Sequence, residues 1–209
     1  MTLQDYLHDP CGTLSIPYWK NKSLRLPPNM RIVHARDFDR TLLDTYEDEP
    51  YFRLFHDLTD VSPVVPADLS VRTAGEKDLP AMAEVINESY SDLSVSVPYL
   101  HSLRETPVFT PELWIAVEND RSEMIACGIA DLDREAGELI LEWIQVLPTY
   151  RRKGVGRLLV EELLRRGKTL AQFATVSGKT ENASKPELLY RACGFRGDDV
   201  WHILRRKET

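Results

Sequence analysis

The 209 residues carry 26 Lys+Arg against 33 Asp+Glu, a formal charge of −7, with 43% hydrophobic and 28% charged side chains. That length and mixture suit a globular chain able to bury its own core, and exclude a fully disordered chain, a collagen-like repeat and a disulfide scaffold. Three cysteines (Cys11, Cys127, Cys193) are too few and too dispersed for a disulfide framework, and with the five histidines they show no metal-ligand spacing.

The charge is unevenly spread. Residues 1–138 hold 12 basic against 25 acidic side chains, and the remainder 14 against 8. Such a split suggests an anion held by the C-terminal third and a cation attracted by the rest, or charges that merely cluster. A general nucleic-acid partner is not expected. The opening MTLQDYLHDP lacks the basic end and apolar run of a signal peptide, and no apolar run is long enough to span a bilayer. The expected setting is cytoplasmic, without a membrane partner.

In chain order, residues 1–69 are proline-dense, with a short strand expected at about 31–35 and helical pieces near 38–45 and 50–58. The stretch Thr59 to Ser70, TDVSPVVPADLS, reads as a linker. The expected organisation is therefore an N-terminal extension at 1–69, a lid or partial companion domain, followed by a main domain at 70–209. Aromatics in the extension (Tyr6, Tyr18, Trp19, Tyr46, Tyr51, Phe52, Phe55) line an acceptor pocket or fill a small core.

From residue 70 the pattern becomes regular. Leu69 to Thr73 alternates as a strand, and residues 77–90 form a helix with Asp78 as N-cap and Pro80 in the first turn. A second helix fits about 95–105. Strands follow at about 112–118, 123–131 and 138–147, separated by turns at Glu118 to Ser122 and Asp131 to Gly137. Residues 154–167, GVGRLLVEELLRRG, make the clearest helix, with Val155, Leu158, Leu159 and Leu163 on one face and Gly167 able to end it. A strand at 171–177, a helix at about 185–193 and a final strand pair from 195 to 206 complete an α/β domain on a mixed sheet.

The junction from Ile140 to Leu164 carries the chemistry. An apolar strand ends at Val146-Leu147-Pro148, and Pro148 cannot donate to a ladder, so the strand is expected to splay there. The basic turn Tyr150-Arg151-Arg152-Lys153 then leads through Gly154-Val155-Gly156 into the helix. A helix start offers unpaired N–H groups and the positive end of its dipole, a seat for a diphosphate. Glycines at 154 and 156 let the backbone approach phosphate oxygens, while Arg151, Arg152, Lys153 and Arg157 add charge.

The run V-L-P-T-Y-R-R-K-G-V-G-R-L-L resembles the acetyl-coenzyme A signature of the GCN5-related N-acetyltransferases (GNAT), Gln/Arg-x-x-Gly-x-Gly/Ala, with Arg151, Gly154 and Gly156 in its three positions. Asn182-Ala183-Ser184 and Leu189-Tyr190-Arg191-Ala192-Cys193-Gly194-Phe195 resemble the family's second motif. The resemblance covers about residues 70–206. It implies a mixed, mostly antiparallel central sheet with flanking helices, to which the N-terminal α/β segment is extra. It also implies acetyl-coenzyme A as co-substrate, held by Ile144, Gln145, Val146, Arg151, Arg152, Lys153, Gly154, Val155, Gly156, Arg157 and Asn182. The splayed strand near Ile144 to Val146 would pair with the pantetheine arm as an added strand does.

Two residues stand out for proton transfer. Tyr190 is the candidate general acid: a phenol near ~10 can protonate a departing thiolate near ~8.5, and the family commonly places a tyrosine there; otherwise it packs at the cleft wall. Glu142 is the candidate base. A lysine-like amine near ~10.4 costs roughly 4.6 kcal/mol to deprotonate at pH 7, and an α-amino group near ~8 about 1.4. Strict alternation sets Glu142 on the face of Ile144 and Val146; an acid on a solvated or ion-paired face is the competing reading, and Glu138 the second choice. Asn182 reaches the pantetheine or caps the next helix. Trp143 and Tyr150 read as core and turn residues, and Cys193 as a small buried residue. Ser177-Gly178-Lys179-Thr180 copies the end of a phosphate loop, but Phe173 stands where its first glycine belongs, so the segment is expected to be a loop bordering the cleft.

The expectation is an acetyl-coenzyme A-dependent N-acetyltransferase acting on a primary amine of a small molecule or peptide by direct attack, as a monomer or homodimer and without a metal. The alternative is a non-catalytic acyl-coenzyme A-binding or protein-interaction module on the same fold.

Overall fold

The computed structural model describes residues 27–89, 94–182 and 184–207. Cys11, Tyr6, Tyr18, Trp19 and Ala183, singled out above, lie outside the described residues. The strands are β1 (Met30–His34), β2 (Tyr46–His56), β3 (Leu69–Thr73), β4 (Trp114–Asn119), β5 (Met124–Asp133), β6 (Glu138–Val146), β7 (Phe173–Lys179) and β8 (Arg196–Arg206). The helices are α1 (Leu79–Ser89), α2 (Val97–Leu103), α3 (Val155–Gly167) and α4 (Pro186–Ala192). All eight strands join one sheet, in the order β1-β8-β2-β7-β6-β5-β4-β3. Only β6 and β7 run parallel, because α3 crosses over between them.

Each face of the sheet has its own apolar cluster. On one, Val155, Leu158, Leu159 and Leu163 of α3 bury against Ala126, Ala130, Leu139, Leu141 and Val176, as the helical stripe requires. On the other, Leu79, Met82, Val85 and Ile86 of α1 and Leu100 of α2 cover Trp114, Ala116, Cys127 and Ile129. Asp78 does not cap α1 directly. It closes a 3-10 turn at Glu76–Asp78, accepting from Gly75 N–H at 2.7 Å and from the Arg72 guanidinium at 2.8 Å.

The N-terminal third departs most from the reading of its residues. Helix expected at 50–58 is strand: Phe52, Leu54 and His56 alternate inward along β2. Residues 38–45 supply only the 3-10 turn Arg40–Asp44. The strand pair expected at 195–206 is one long strand, β8, whose neighbours are β1 and β2. Thus β2 fills the place between β7 and β8, pairing Tyr51 with Lys179 and Trp201. The phosphate-loop lookalike is likewise strand. Ser177, Gly178 and Lys179 lie within β7, and Lys179 pairs with Glu49 at 2.5 Å. No helix among the described residues is long and apolar enough to cross a membrane.

Candidate active site

The site begins where β6 and β7 part. They pair only from Glu138 with Phe173 to Leu141 with Val176, whereas β5 follows β6 as far as Val146. The cause lies in β6 itself. Ala130 pairs with Leu141 and Ile129 with Trp143, so Glu142 is an extra residue without an opposite number on β5. Such a bulge bends and twists the strand that carries it. The strands therefore separate at Glu142, well before Pro148, which only opens the 3-10 turn Pro148–Tyr150. The bulge also breaks the alternation. Ile144 and Val146 pack on the α3 side with Leu139 and Leu141, so Glu142 does not share their face by simple period-two counting.

The ladder then orients the open edge. Leu147 N–H donates to Ile125 O at 3.0 Å, so Gln145 and Leu147 bond to β5. In an antiparallel pair the intervening residues, Ile144 and Val146, must direct N–H and C=O the other way, into the gap left by β7. Gln145 is buried.

Beyond this edge stands the glycine-containing turn that opens α3. Arg152 takes φ 61° and Gly154 φ 86°, and left-handed residues in such a turn gather successive amides into a concave nest. Among the described residues the amides of Arg152 to Arg157 meet no acceptor; the first to do so is Leu158, which donates to Gly154 O at 3.0 Å. Among the described residues no side chain caps this helix start. The two glycines serve differently. Gly154 is needed for its left-handed backbone, whereas a Cβ at Gly156 would sit 3.2 Å from Leu189 of α4, so this glycine lets α4 close on the first turn of α3.

The basic residues around the turn are not equivalent. Arg151 aims its guanidinium inward, Nε donating to Val146 O at 3.1 Å and Nη2 to Ser89 O at 3.2 Å. Lys153 lies 5.1 Å from the ring centre of Tyr150, whose hydroxyl accepts from Asn119. Arg157 is held by Glu161 at 2.6 Å. Arg152 is exposed, and Val155 is buried at the head of the α3 stripe.

Tyr190 on α4 is buried, its ring 6.3 Å from Phe52 and 5.9 Å from Phe195. Asn182 caps the turn leading into α4: Oδ1 accepts from Ser184 N–H at 2.9 Å and from its hydroxyl at 2.7 Å. Glu138 is fully buried and taken up by Arg53 and by the Thr175 hydroxyl, each at 2.5 Å. Cys193 is buried, which pushes its thiol up to about 12. Its neighbour His56 accepts from Leu58 N–H through Nδ1. No cluster of potential metal ligands occurs among the described residues. A separate groove of about 450 Å³, lined by His56, Asp60, Arg157, Glu161 and Arg196, runs between α3 and the segment after β2.

Sequence reasoning missed two contributors. Arg53, a lone charge inside the aromatic strand YFRLFH, could have been flagged by the logic applied to Glu142 in LILEWIQV. Ser89, which meets Arg151 through its main-chain carbonyl, left no signal, because any residue has that group.

Residues 110–197 match a family model described as acetyltransferase (GNAT) domain. A comparison with curated proteins gave no significant match. Among solved structures, a GCN5-related N-acetyltransferase from Sphaerobacter thermophilus is similar at TM-score 0.72 and 17% identity, over 86% of this chain and 60% of its own. A tandem GNAT protein from the clavulanic acid biosynthesis pathway is similar at 0.63 and 13%, over 84% and 62%. The ribosomal-protein-S18-alanine N-acetyltransferase of Escherichia coli is similar at 0.52 and 20%, over 68% and 96%. This chain thus spans about 60% of the Sphaerobacter protein. With parted strands and an open amide turn, the chain has the fold of these solved N-acetyltransferases, and its residues 110–197 match the GNAT domain model.

Proposed function

We propose that this chain is an N-acetyltransferase that moves an acetyl group from acetyl-coenzyme A to a primary amine of a small molecule or peptide, by direct attack in a ternary complex. The observation that carries this reading is the pairing of two features on one edge: acceptor-less amides from Arg152 to Arg157, and main-chain groups of Ile144 and Val146 turned into the gap beside β7. The first suits a diphosphate and the second an extended amide-bearing arm, and coenzyme A joins those two chemistries in one molecule.

In this reading the Arg152–Arg157 turn holds the diphosphate and the β6 edge aligns the arm, with Val146 N–H polarising the thioester carbonyl. Glu142, on the bulge where the strands part, accepts the amine proton directly or through water, and Tyr190 returns a proton to the departing thiolate. The thioester supplies the activated acetyl group. Asp131 shares the face of Ile129, and the Tyr99 hydroxyl of α2 is held above its usual range by burial and by the charge of Asp131. An acidic residue beside α2 favours a cationic acceptor such as a polyamine, an aminoglycoside-like compound or a lysine side chain.

The test is a panel of primary amines with acetyl-coenzyme A, read by thiol release. Amine-dependent release with stoichiometric acetylated amine is expected. Slow release unaffected by any amine would replace the enzyme reading with that of a binding module.

A further inference from the structure

The arginine of the signature turn does not face the diphosphate seat. Its guanidinium bridges two main-chain carbonyls from different elements: Val146 O at the parted end of β6, at 3.1 Å, and Ser89 O at the end of α1, at 3.2 Å. Both carbonyls are orphans of secondary structure. Val146 C=O points into the gap from which β7 has withdrawn, and Ser89 is the last residue of α1, where a helix end leaves its carbonyls without an intrahelical donor. The Ser89 hydroxyl donates to Val85 O at 2.7 Å and lies 3.4 Å from Val146 O, so the same corner is closed from a second side.

We propose that Arg151 is a positioning residue, a strut that fixes the phosphate-binding turn against the β6 edge and the end of α1. The planar fork of arginine spans two carbonyls in fixed directions, which a point-charge ammonium does not. Because Arg152 and Gly154, the two left-handed residues of the nest, follow directly, the strut sets the offset between the amide nest and Val146 N–H. That offset is the distance between the diphosphate and the thioester carbonyl. The strut also occupies Val146 C=O, which leaves Ile144 N–H, Ile144 C=O and Val146 N–H to pair with the arm. This use of the geometry rests on the acetyl-transfer reading; the strut itself does not.

Two measurements on Arg151→Ala and Arg151→Lys test it. In ligand-free protein, amide hydrogen exchange over Val85–Ser89 and Gln145–Leu147 is expected to quicken about fivefold or more in the alanine variant and less in the lysine variant. In turnover, kcat with acetyl-coenzyme A is expected to fall about tenfold while its KM moves less than about twofold, and kcat with S-acetylpantetheine, which has no diphosphate to be offset, is expected to fall less. Unchanged exchange, with a loss confined to KM for acetyl-coenzyme A and absent for S-acetylpantetheine, would make Arg151 a phosphate ligand and overturn the strut. A lower melting temperature with kcat and KM both unchanged would reduce it to a purely structural contact and also overturn it. Should the wild type turn over neither thioester, the acetyl-transfer reading falls, and the ligand-free exchange alone decides the strut.

Discussion

At Tyr190 the surroundings matter as much as the hydroxyl. The ring is wedged between Phe52 of β2 and Phe195, the residue just before β8, so its position is fixed by packing before any substrate arrives. General acids contribute about 10²–10⁴-fold to a rate, and a thiolate is a good leaving group, so the lower end applies. Tyr190→Phe should lower kcat about 100-fold while acetyl-coenzyme A binds with unchanged affinity, measured by steady-state kinetics and calorimetry; unchanged kcat would remove the assignment. Cys193, three residues on, is no rival as a nucleophile, since burial holds its thiol near 12 and a thiolate is what attacks. Gly154, Gly156 and Tyr190 were legible because each stands in a short motif. The neighbours that pack against Tyr190 and Gly156 were not, since Phe52 arrives from a distant strand and Leu189 gives no sign of its target.

Among the elements, β2 does the most that its own residues did not announce. YEDEPYFRLFH has the aromatic content of a strand, but with Pro50 and scattered acids it also fits a broken helix. Its place between β7 and β8 depends on partners more than a hundred residues later in the chain, which local pattern cannot reveal. From that place Arg53 reaches across β7 to Glu138 on β6, and Thr175 of β7 joins both. The network ties three strands on the closed side of the gap. Removing one member of a buried pair strands the other, at about 3–5 kcal/mol, whereas replacing both by apolar residues of similar volume is often neutral. Arg53→Met should therefore lower unfolding free energy by that amount in denaturant titration, and Arg53→Met with Glu138→Leu should recover most of it. Additive losses would show that the pair is not coupled. The bulge at Glu142 escaped detection for a related reason: one extra residue in a run of apolar alternation looks like alternation continued.

On the scale of the whole molecule, a single sheet carries a gap at its centre, α3 and α4 on one face and α1 and α2 on the other. The basic C-terminal third contains the open amide turn, which is where the proposed diphosphate would sit, and the acidic remainder contains Asp131 beside α2. The family match at 110–197 takes in the gap and the turn but not β1 and β2, which complete the sheet from outside it. The fold and the glycine turn at the head of α3 were legible because helix periodicity and glycine spacing are local; which strands flank β8 was not, because pairing is long-range.

The central claim is that the turn at Arg152–Arg157 and the edge at Ile144–Val146 together seat one ligand. Isothermal titration with acetyl-coenzyme A, against S-acetylpantetheine and inorganic pyrophosphate as its two halves, addresses this directly. The account predicts one site per chain, with acetyl-coenzyme A bound at least about 100-fold more tightly than either half, since joined fragments share the cost of association. No heat of binding with acetyl-coenzyme A at saturating concentration, or affinity no greater than for pyrophosphate alone, would contradict it.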